Sequence, residues 1–273
     1  MRGLIVRAIA GFYYVFSGGR VFEVSAKGVF RHLKIKPMVG DRVDIDEGKI
    51  VNILPRKNNL IRPKVANVDK LIIVLAPIPE PDYLLLDKQL IFCLKEGISP
   101  IIAVNKADID VDTTEYVRNA YGKYFLVLSV SAKTSYGIAE FYNKIIGSIV
   151  CFAGQSAVGK SSLINALFSL SLETGEMSKK IERGKNTTRE ARLFDIGGAY
   201  IADTPGFSSF EISFPEDELK DVYPEFRDIT CEFLDCMHIG EKGCGVKTGS
   251  VIDDGRYQRY LKIFNELKSQ KKY

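Results

Sequence analysis

The chain has 273 residues, 46% of them hydrophobic and 26% charged, with 38 Lys and Arg against 34 Asp and Glu. That length holds about two domains and a sizeable core, and the composition excludes collagen-like, disordered and disulfide-scaffold chains. The charge is uneven: residues 1–62 carry 12 basic and 5 acidic side chains, which leaves 26 and 29 for the remainder. Such asymmetry suits a basic module with an anionic partner, although charge alone is also met by a solvated basic face.

Met1 to Phe16 is interrupted by Arg2, Arg7 and Gly11, so no leader is expected. No stretch reaches the ~20 apolar residues of a membrane span. Leu4–Ile9, Phe12–Phe16, Val21–Val24 and Arg42–Ile45 are rich in β-branched and aromatic residues and are separated by glycine turns. They predict short strands forming a small barrel, an OB-type barrel being one option. Pro55–Asn59 and Arg62-Pro63 read as a linker. Leu71–Leu75, Ile101–Val104, Phe125–Leu128 and Ile149–Ala153 are apolar runs that alternate with helical stretches at Tyr83–Lys95, around Glu115 and at Ile138–Ile146. That alternation predicts an α/β domain with a mostly parallel sheet. After Phe214 the strand pattern stops, and a Cys/His cluster and a helix over Gly255–Gln270 make a third unit. The expected domains are 1–62, 63–213 and 214–273. Five cysteines without a secretory context point to a reducing cytoplasm, where cysteine clusters hold metals more often than bridges.

Gly154, Gln155, Ser156, Ala157, Val158, Gly159, Lys160 and Ser161 match the P-loop pattern between a predicted strand and the apolar helix that opens at Ser162. A chance Gly-rich turn would not require that context. Backbone amides at a helix start face phosphate charge, Lys160 would bind β- and γ-phosphate oxygens, and Ser161 would coordinate Mg²⁺. Asn105-Lys106-Ala107-Asp108 closes a predicted strand and looks like the guanine-reading N-K-x-D motif. The Asp108 carboxylate would accept from guanine N1–H and the 2-amino group, donors that adenine lacks. The Lys106 stem would cover the base, and Asn105 would tie the loop to neighbouring backbone. Ser131-Ala132-Lys133 adds a second base-side element, with the Ala132 N–H meeting guanine O6. Asp203-Thr-Pro-Gly206 resembles the D-x-x-G motif, with Asp203 on Mg²⁺ through water and the Gly206 N–H on the γ-phosphate. In the basic segment Met177–Arg192, either Thr187 or Thr188 would supply a hydroxyl to Mg²⁺. Thr188 is grouped with Ser161 and Asp203 as the magnesium set.

The base-reading motifs precede the P-loop, whereas ordinary GTPases place the P-loop first. A sheet tolerates that rearrangement when the cut and the join fall in surface loops. Cys231-x4-Cys236-x-His238-x5-Cys244 offers three thiolates and one imidazole, a closed tetrahedral set for structural Zn²⁺. Cys93 and Cys151 read as core residues and His32 as a surface residue.

These features together resemble the RsgA (YjeQ) family of circularly permuted GTPases. The resemblance covers essentially the whole chain. It includes Val39-Gly-Asp-Arg42, Pro55-Arg-Lys-Asn58, Arg62-Pro-Lys-Val-Ala-Asn-Val-Asp69, the permuted motif order, the Cys/Cys/His/Cys cluster and Arg256-Tyr-x-x-Tyr260-Leu. It implies an OB-type barrel, a permuted GTPase domain and a helical zinc-bearing domain. It also implies a ribosome-stimulated, cytoplasmic, monomeric GTPase that docks on small-subunit rRNA and has no membrane partner. One departure is Asn186, where members of the family carry a histidine before the switch threonines. Asparagine orients water but does not take its proton near neutral pH. Phe207 follows Gly206, so a Ras-type glutamine is also missing. The expectation is slow intrinsic hydrolysis that depends on the partner, with Lys160, Asn186, Thr187, Thr188 and Gly206 at the reacting phosphate. The alternatives are a nucleotide-gated rRNA scaffold with little hydrolysis and, against Asp108, an ATP-using P-loop enzyme. Phe30, Arg31, Lys34 and Lys36 are candidate RNA contacts, with Phe30 also suited to the core.

Overall fold

The structure is a computed structural model and describes residues 1–32, 35–61, 64–173, 192–202, 212–248 and 251–270. Strands β1 (Arg2–Ile9), β2 (Phe12–Ser17) and β3 (Arg20–Ala26) lead to a single helical turn, α1 (Val29–His32). Strands β4 (Arg42–Asp46) and β5 (Lys49–Ile53) then close a five-stranded barrel in the order β1-β2-β3-β5-β4. β3 and β5 pair in parallel, and the other neighbours are antiparallel. Alternation along these strands turns Ile5, Val15, Val24, Val43, Ile45 and Ile50 inward. Phe30 joins that core at 7% exposure. It is therefore a packing residue and not an RNA-stacking surface. Lys36 is exposed, and the side chain of Arg31 and all of Lys34 lie outside the described residues.

Of the stretches read as a linker, Arg62-Pro63 lies outside the described residues, and Pro55–Asn59 belongs to a packed joint. The short strands β6 (Asn59–Leu60) and β7 (Val65–Ala66) pair antiparallel. The buried Asn58 amide donates to the Val68 carbonyl at 2.8 Å and accepts from its N–H at 2.9 Å. Arg56 donates to both oxygens of the fully buried Asp41, at 2.7 and 2.8 Å. A Cβ on Gly40 would stand 2.0 Å from the Ala66 carbonyl oxygen. Val39-Gly-Asp-Arg42 and Pro55-Arg-Lys-Asn58 are thus two sides of one joint between barrel and sheet. Pro55–Asn59 reads as a linker because the bonds that fix it, with that of Asn67 Nδ2 to the Gly40 carbonyl, join residues 10 to 27 positions apart in the chain.

The central unit is built from β8 (Lys70–Leu75), α2 (Tyr83–Lys95), β9 (Ser99–Val104), α3 (Asp112–Tyr121), β10 (Leu126–Ser129), α4 (Ile138–Ile145), β11 (Ile149–Ala153), α5 (Lys160–Glu173), β12 (Leu193–Asp195) and β13 (Tyr200–Ala202). Its sheet runs β10-β9-β8-β11-β13-β12, parallel except for the edge strand β12, which the sequence pattern did not show. Odd residues of β8 pack toward Leu86 and Leu90 of α2 and Val117 of α3. Its even residues face Phe141 of α4 and Leu163 of α5. This two-sided burial is why the strands read as unbroken apolar runs. The barrel reaches the sheet at its β12 edge, through a bridge between Arg7 and Arg192, and so covers an edge that would otherwise offer unpaired backbone.

Three 3-10 turns (Glu216–Glu218, Lys220–Val222 and Pro224–Phe226), α6 (Gly245–Thr248) and α7 (Asp254–Gln270) form the last unit. Leu219, Tyr223, Phe226, Tyr260, Ile263 and Phe264 make its core, to which α2 contributes Ile91. Among the described residues, no helix is long and apolar enough to cross a membrane.

Candidate nucleotide site and Cys/His centre

The P-loop leaves the carboxyl end of β11 and ends in α5. Two of its glycines are required by space as well as by backbone angle. Gly154 has φ +123°, and a Cβ there would lie 2.2 Å from the Val74 carbonyl oxygen. Gly159 has φ +95°, and a Cβ there would lie 2.3 Å from Asn105 Nδ2. Lys160 donates from Nζ to the Gly154 carbonyl at 2.8 Å and to the Gln155 carbonyl, bracing the wrapped loop. Burial lowers its pKa. Ser161 and Ser162 are exposed on the first turn of α5, where amide N–H groups have no intrahelical acceptor and anions are favoured.

The base-reading loops meet this loop directly. Asn105 is 2% exposed. Its Nδ2 donates to the Val158 carbonyl at 2.9 Å, and its Oδ1 accepts from the Ala132 N–H at 3.1 Å. The N–H assigned to guanine O6 therefore has Asn105 as its partner here. Lys106 sits at φ +64° and donates from Nζ to the carbonyls of Ile78 at 2.6 Å and Ala157 at 3.0 Å. Asp108 is exposed at the loop tip and accepts from the buried Ser131 hydroxyl at 2.6 Å. That hydrogen bond is the largest cause of a lowered pKa, with the Lys133 charge also lowering it, so the carboxyl is held as an acceptor. Residues separated widely in sequence thus converge at the carboxyl edge of β8, β9, β10 and β11, where open α/β sheets bind ligands. β13 runs parallel to β11 and β12 pairs with it, so Arg192 and Ala202 stand at that edge too. Asn186, Thr187, Thr188, Asp203 and Gly206 lie outside the described residues.

A phosphate-wrapping loop on β11, fastened by side chains to guanine-type loops from strands made earlier in the chain, defines the class: a circularly permuted P-loop GTPase. Comparison with known proteins carries this to the family. The family described as RsgA GTPase matches residues 53–213, and the RsgA N-terminal domain matches residues 2–50. The small ribosomal subunit biogenesis GTPase RsgA of Ruminiclostridium cellulolyticum is 46% identical over 99% of this chain and 95% of its own. The protein of that name from a Geobacillus species is 42% identical over 98% of each. The crystal structure of YjeQ from Thermotoga maritima superposes with a TM-score of 0.86 at 35% identity, covering 98% of both chains. YloQ, described as a circularly permuted GTPase, gives 0.82 at 32% identity over 98% of this chain and 95% of its own. The chain belongs to the RsgA GTPase family.

The second centre is the Cys/His loop. The Sγ atoms of Cys231, Cys236 and Cys244 stand 3.6, 3.7 and 3.5 Å from His238 Nδ1, and all four ligand atoms lie within 4.8 Å of one another. A tetrahedron with metal–sulfur bonds of about 2.3 Å and a metal–nitrogen bond of about 2.0 Å has edges of roughly 3.5–3.8 Å. The residues therefore fit Zn²⁺ in both donor type and spacing. Burial is the first cause that pushes Cys236 up to about 12, and burial also lowers His238 toward its neutral, ligating form. The loop is held from outside. Glu241 accepts from the N–H groups of Met237 at 2.7 Å and Ile239 at 2.8 Å, Tyr257 donates to the His238 carbonyl at 2.9 Å, and Tyr260 donates to the Met237 carbonyl. Arg256-Tyr-x-x-Tyr260 thus places two hydroxyls on the ligand loop. Cys93 and Cys151 are wholly buried, and His32 has no described side chain.

Asp87, Glu225, Glu241 and Arg259 have no role in the sequence pattern, and Gln155 enters it only as a P-loop residue.

Proposed function

We propose that this GTPase acts in late maturation of the small ribosomal subunit, engaging the subunit in a nucleotide-dependent way and leaving after GTP hydrolysis. One observation carries the reading. The Asn105 and Lys106 side chains are bonded to the P-loop, within a chain matched along 99% of its length by a relative named for small-subunit biogenesis. The domains are taken as 1–62, 63–213 and 214–273. Gly154 to Ser162 cradle the phosphates, with Lys160 leaving the loop carbonyls for β- and γ-phosphate oxygens. Asp108 reads guanine, Lys106 covers it, and Ser131, Ala132 and Lys133 hold the second edge. Ser161, one of the two switch threonines (Thr188 in the grouping above) and Asp203 would hold Mg²⁺, which when bound neutralises phosphate charge. Gly206 N–H meets the γ-phosphate, and Asn186 with Thr187 orients the attacking water. Cys231, Cys236, His238 and Cys244 would hold one structural Zn²⁺, a closed set with no position for substrate.

The barrel exposes Arg20, Lys27, Lys36 and Lys49, which suit rRNA phosphates. The protein works as a cytoplasmic monomer. GTP turnover measured with and without small subunits tests the reading. Slow turnover alone and faster turnover with subunits is expected. No stimulation would favour a nucleotide-gated rRNA scaffold, the reading that Asn186 and Phe207 support. Several turnovers per second by the chain alone would remove the dependence on the partner.

A further inference from the structure

Helix α2 (Tyr83–Lys95) is fastened at its amino end and again in its first half. At its amino end the P-loop residue Gln155 uses its whole amide: Oε1 accepts from the Asp82 N–H at 2.9 Å, and Nε2 donates to the Glu80 carbonyl at 3.1 Å. Asp82 is the helix cap and accepts from the Leu85 N–H at 2.9 Å. Lys106 holds Ile78 in the same connection. Five residues beyond the cap, about 8 Å along the axis, Asp87 is wholly buried. It accepts from Arg256 Nη1, from Arg259 Nε at 2.5 Å and from the Tyr121 hydroxyl at 3.0 Å. Arg256 also donates to Glu225 at 2.6 Å, and its guanidinium lies 4.6 Å from the Tyr121 ring centre and 4.8 Å from that of Tyr223. These charges join α2 and α3 to the unit that carries the Cys/His loop.

Two further observations bear on how this joint could respond to the loop. Among the described residues, both amide atoms of Gln89 on α2 and the Tyr223 hydroxyl at the joint are buried without a hydrogen-bond partner. Unpaired buried dipoles cost free energy, so a shift of α2 that pairs them would be favoured. Lys160, moreover, braces the Gln155 carbonyl, and phosphate oxygens compete for that same ammonium. Nucleotide loading therefore changes what holds Gln155.

We propose that Gln155 is a positioning residue acting through α2: it passes the state of the P-loop to the Asp87–Arg256–Arg259 joint, by a route to the Cys/His unit that does not use the switch segments. The proposal rests on the nucleotide reading above. Coupling of this kind is reciprocal, so the joint must also be felt by the nucleotide.

The experiment uses the full-length, zinc-loaded protein. Affinities for N-methylanthraniloyl-GDP and for a non-hydrolysable GTP analogue are measured in the unaltered chain, Arg259→Gln, Gln155→Ala and the double variant. Arg259→Gln is expected to change the ratio of the two affinities about five-fold, although Arg259 does not touch the nucleotide loops. The same substitution made on Gln155→Ala is expected to leave the ratio unmoved, and Arg259→Lys is expected to restore it. An unmoved ratio in Arg259→Gln, or equal effects in both backgrounds, overturns the proposal. Should Arg259→Gln fail to fold, Tyr121→Phe, which deletes one hydrogen bond to Arg259 and one to Asp87, is held to the same criteria. Failure of the unaltered chain to bind either nucleotide overturns both this proposal and the reading beneath it.

Discussion

At the scale of single residues, the proposed choice of base turns on Asp108. A carboxylate offers two acceptors to guanine, whereas an amide offers one acceptor and one donor, which suits the N1–H and 2-oxo edge of xanthine. Asp108→Asn is therefore expected to weaken GDP binding about 100-fold, the worth of a charged hydrogen bond, and to gain xanthosine diphosphate. Competition between the two nucleotides measures the exchange, and unchanged preference for GDP would remove Asp108 from the base site. The P-loop was legible because its demands are local: Gly154 and Gly159 are dictated by backbone angle and by the neighbours pressed against them. Phe30 could not be placed, because an aromatic beside basic residues looks the same in sequence whether it faces solvent or the barrel core. Asp87 was equally opaque, since its partner Arg256 lies 169 positions away.

At the scale of elements, the last unit depends on its ligand loop more than its helices would suggest. The turns between Glu216 and Phe226 are single 3-10 turns, and isolated helices this short do not persist in water. Phe226 packs on the His238 ring at 4.7 Å between centres, and Tyr223 and Tyr260 meet edge-to-face at 4.9 Å. The cluster that holds α7 in place is thus continuous with the four ligands. We expect one zinc per chain by metal analysis. Cys244→Ser is expected to lose that zinc and raise hydrogen exchange across 214–248, while β8 and β11 stay protected. Full zinc content in Cys244→Ser would remove the four-ligand assignment. The strands and helices of the sheet were legible from apolar runs and their spacing. β12 was not, because three residues at an edge carry too little pattern.

At the scale of the whole molecule, the barrel and the sheet meet at the joint of Asp41 and Arg56. Residues 1–62 carry an excess of positive charge, and the barrel exposes Arg20, Lys27, Lys36 and Lys49. If the barrel binds rRNA through phosphates, small-subunit affinity should fall at least about 100-fold between 50 and 200 mM salt, as counterion release requires. Co-sedimentation across that range measures it, and a flat response would assign the docking to another surface. The two-domain expectation from length gives way to three units, because a barrel of about 60 residues needs little chain to close.

The strand order also sets a timetable for synthesis. β8, β9 and β10 are made in succession and form one flank of the sheet, but β8 has its second neighbour in β11. At ~5–20 residues per second, that neighbour arrives about ten seconds later. Until then the nascent chain carries Leu71–Leu75, an apolar strand buried on both faces in the finished protein, with one side unpaired. An open apolar edge of this kind pairs readily with the wrong strand. Moving this half to the front of the chain therefore has a cost in folding: the half with the N-K-x-D loop is built first and must wait, exposed, for the half with the P-loop.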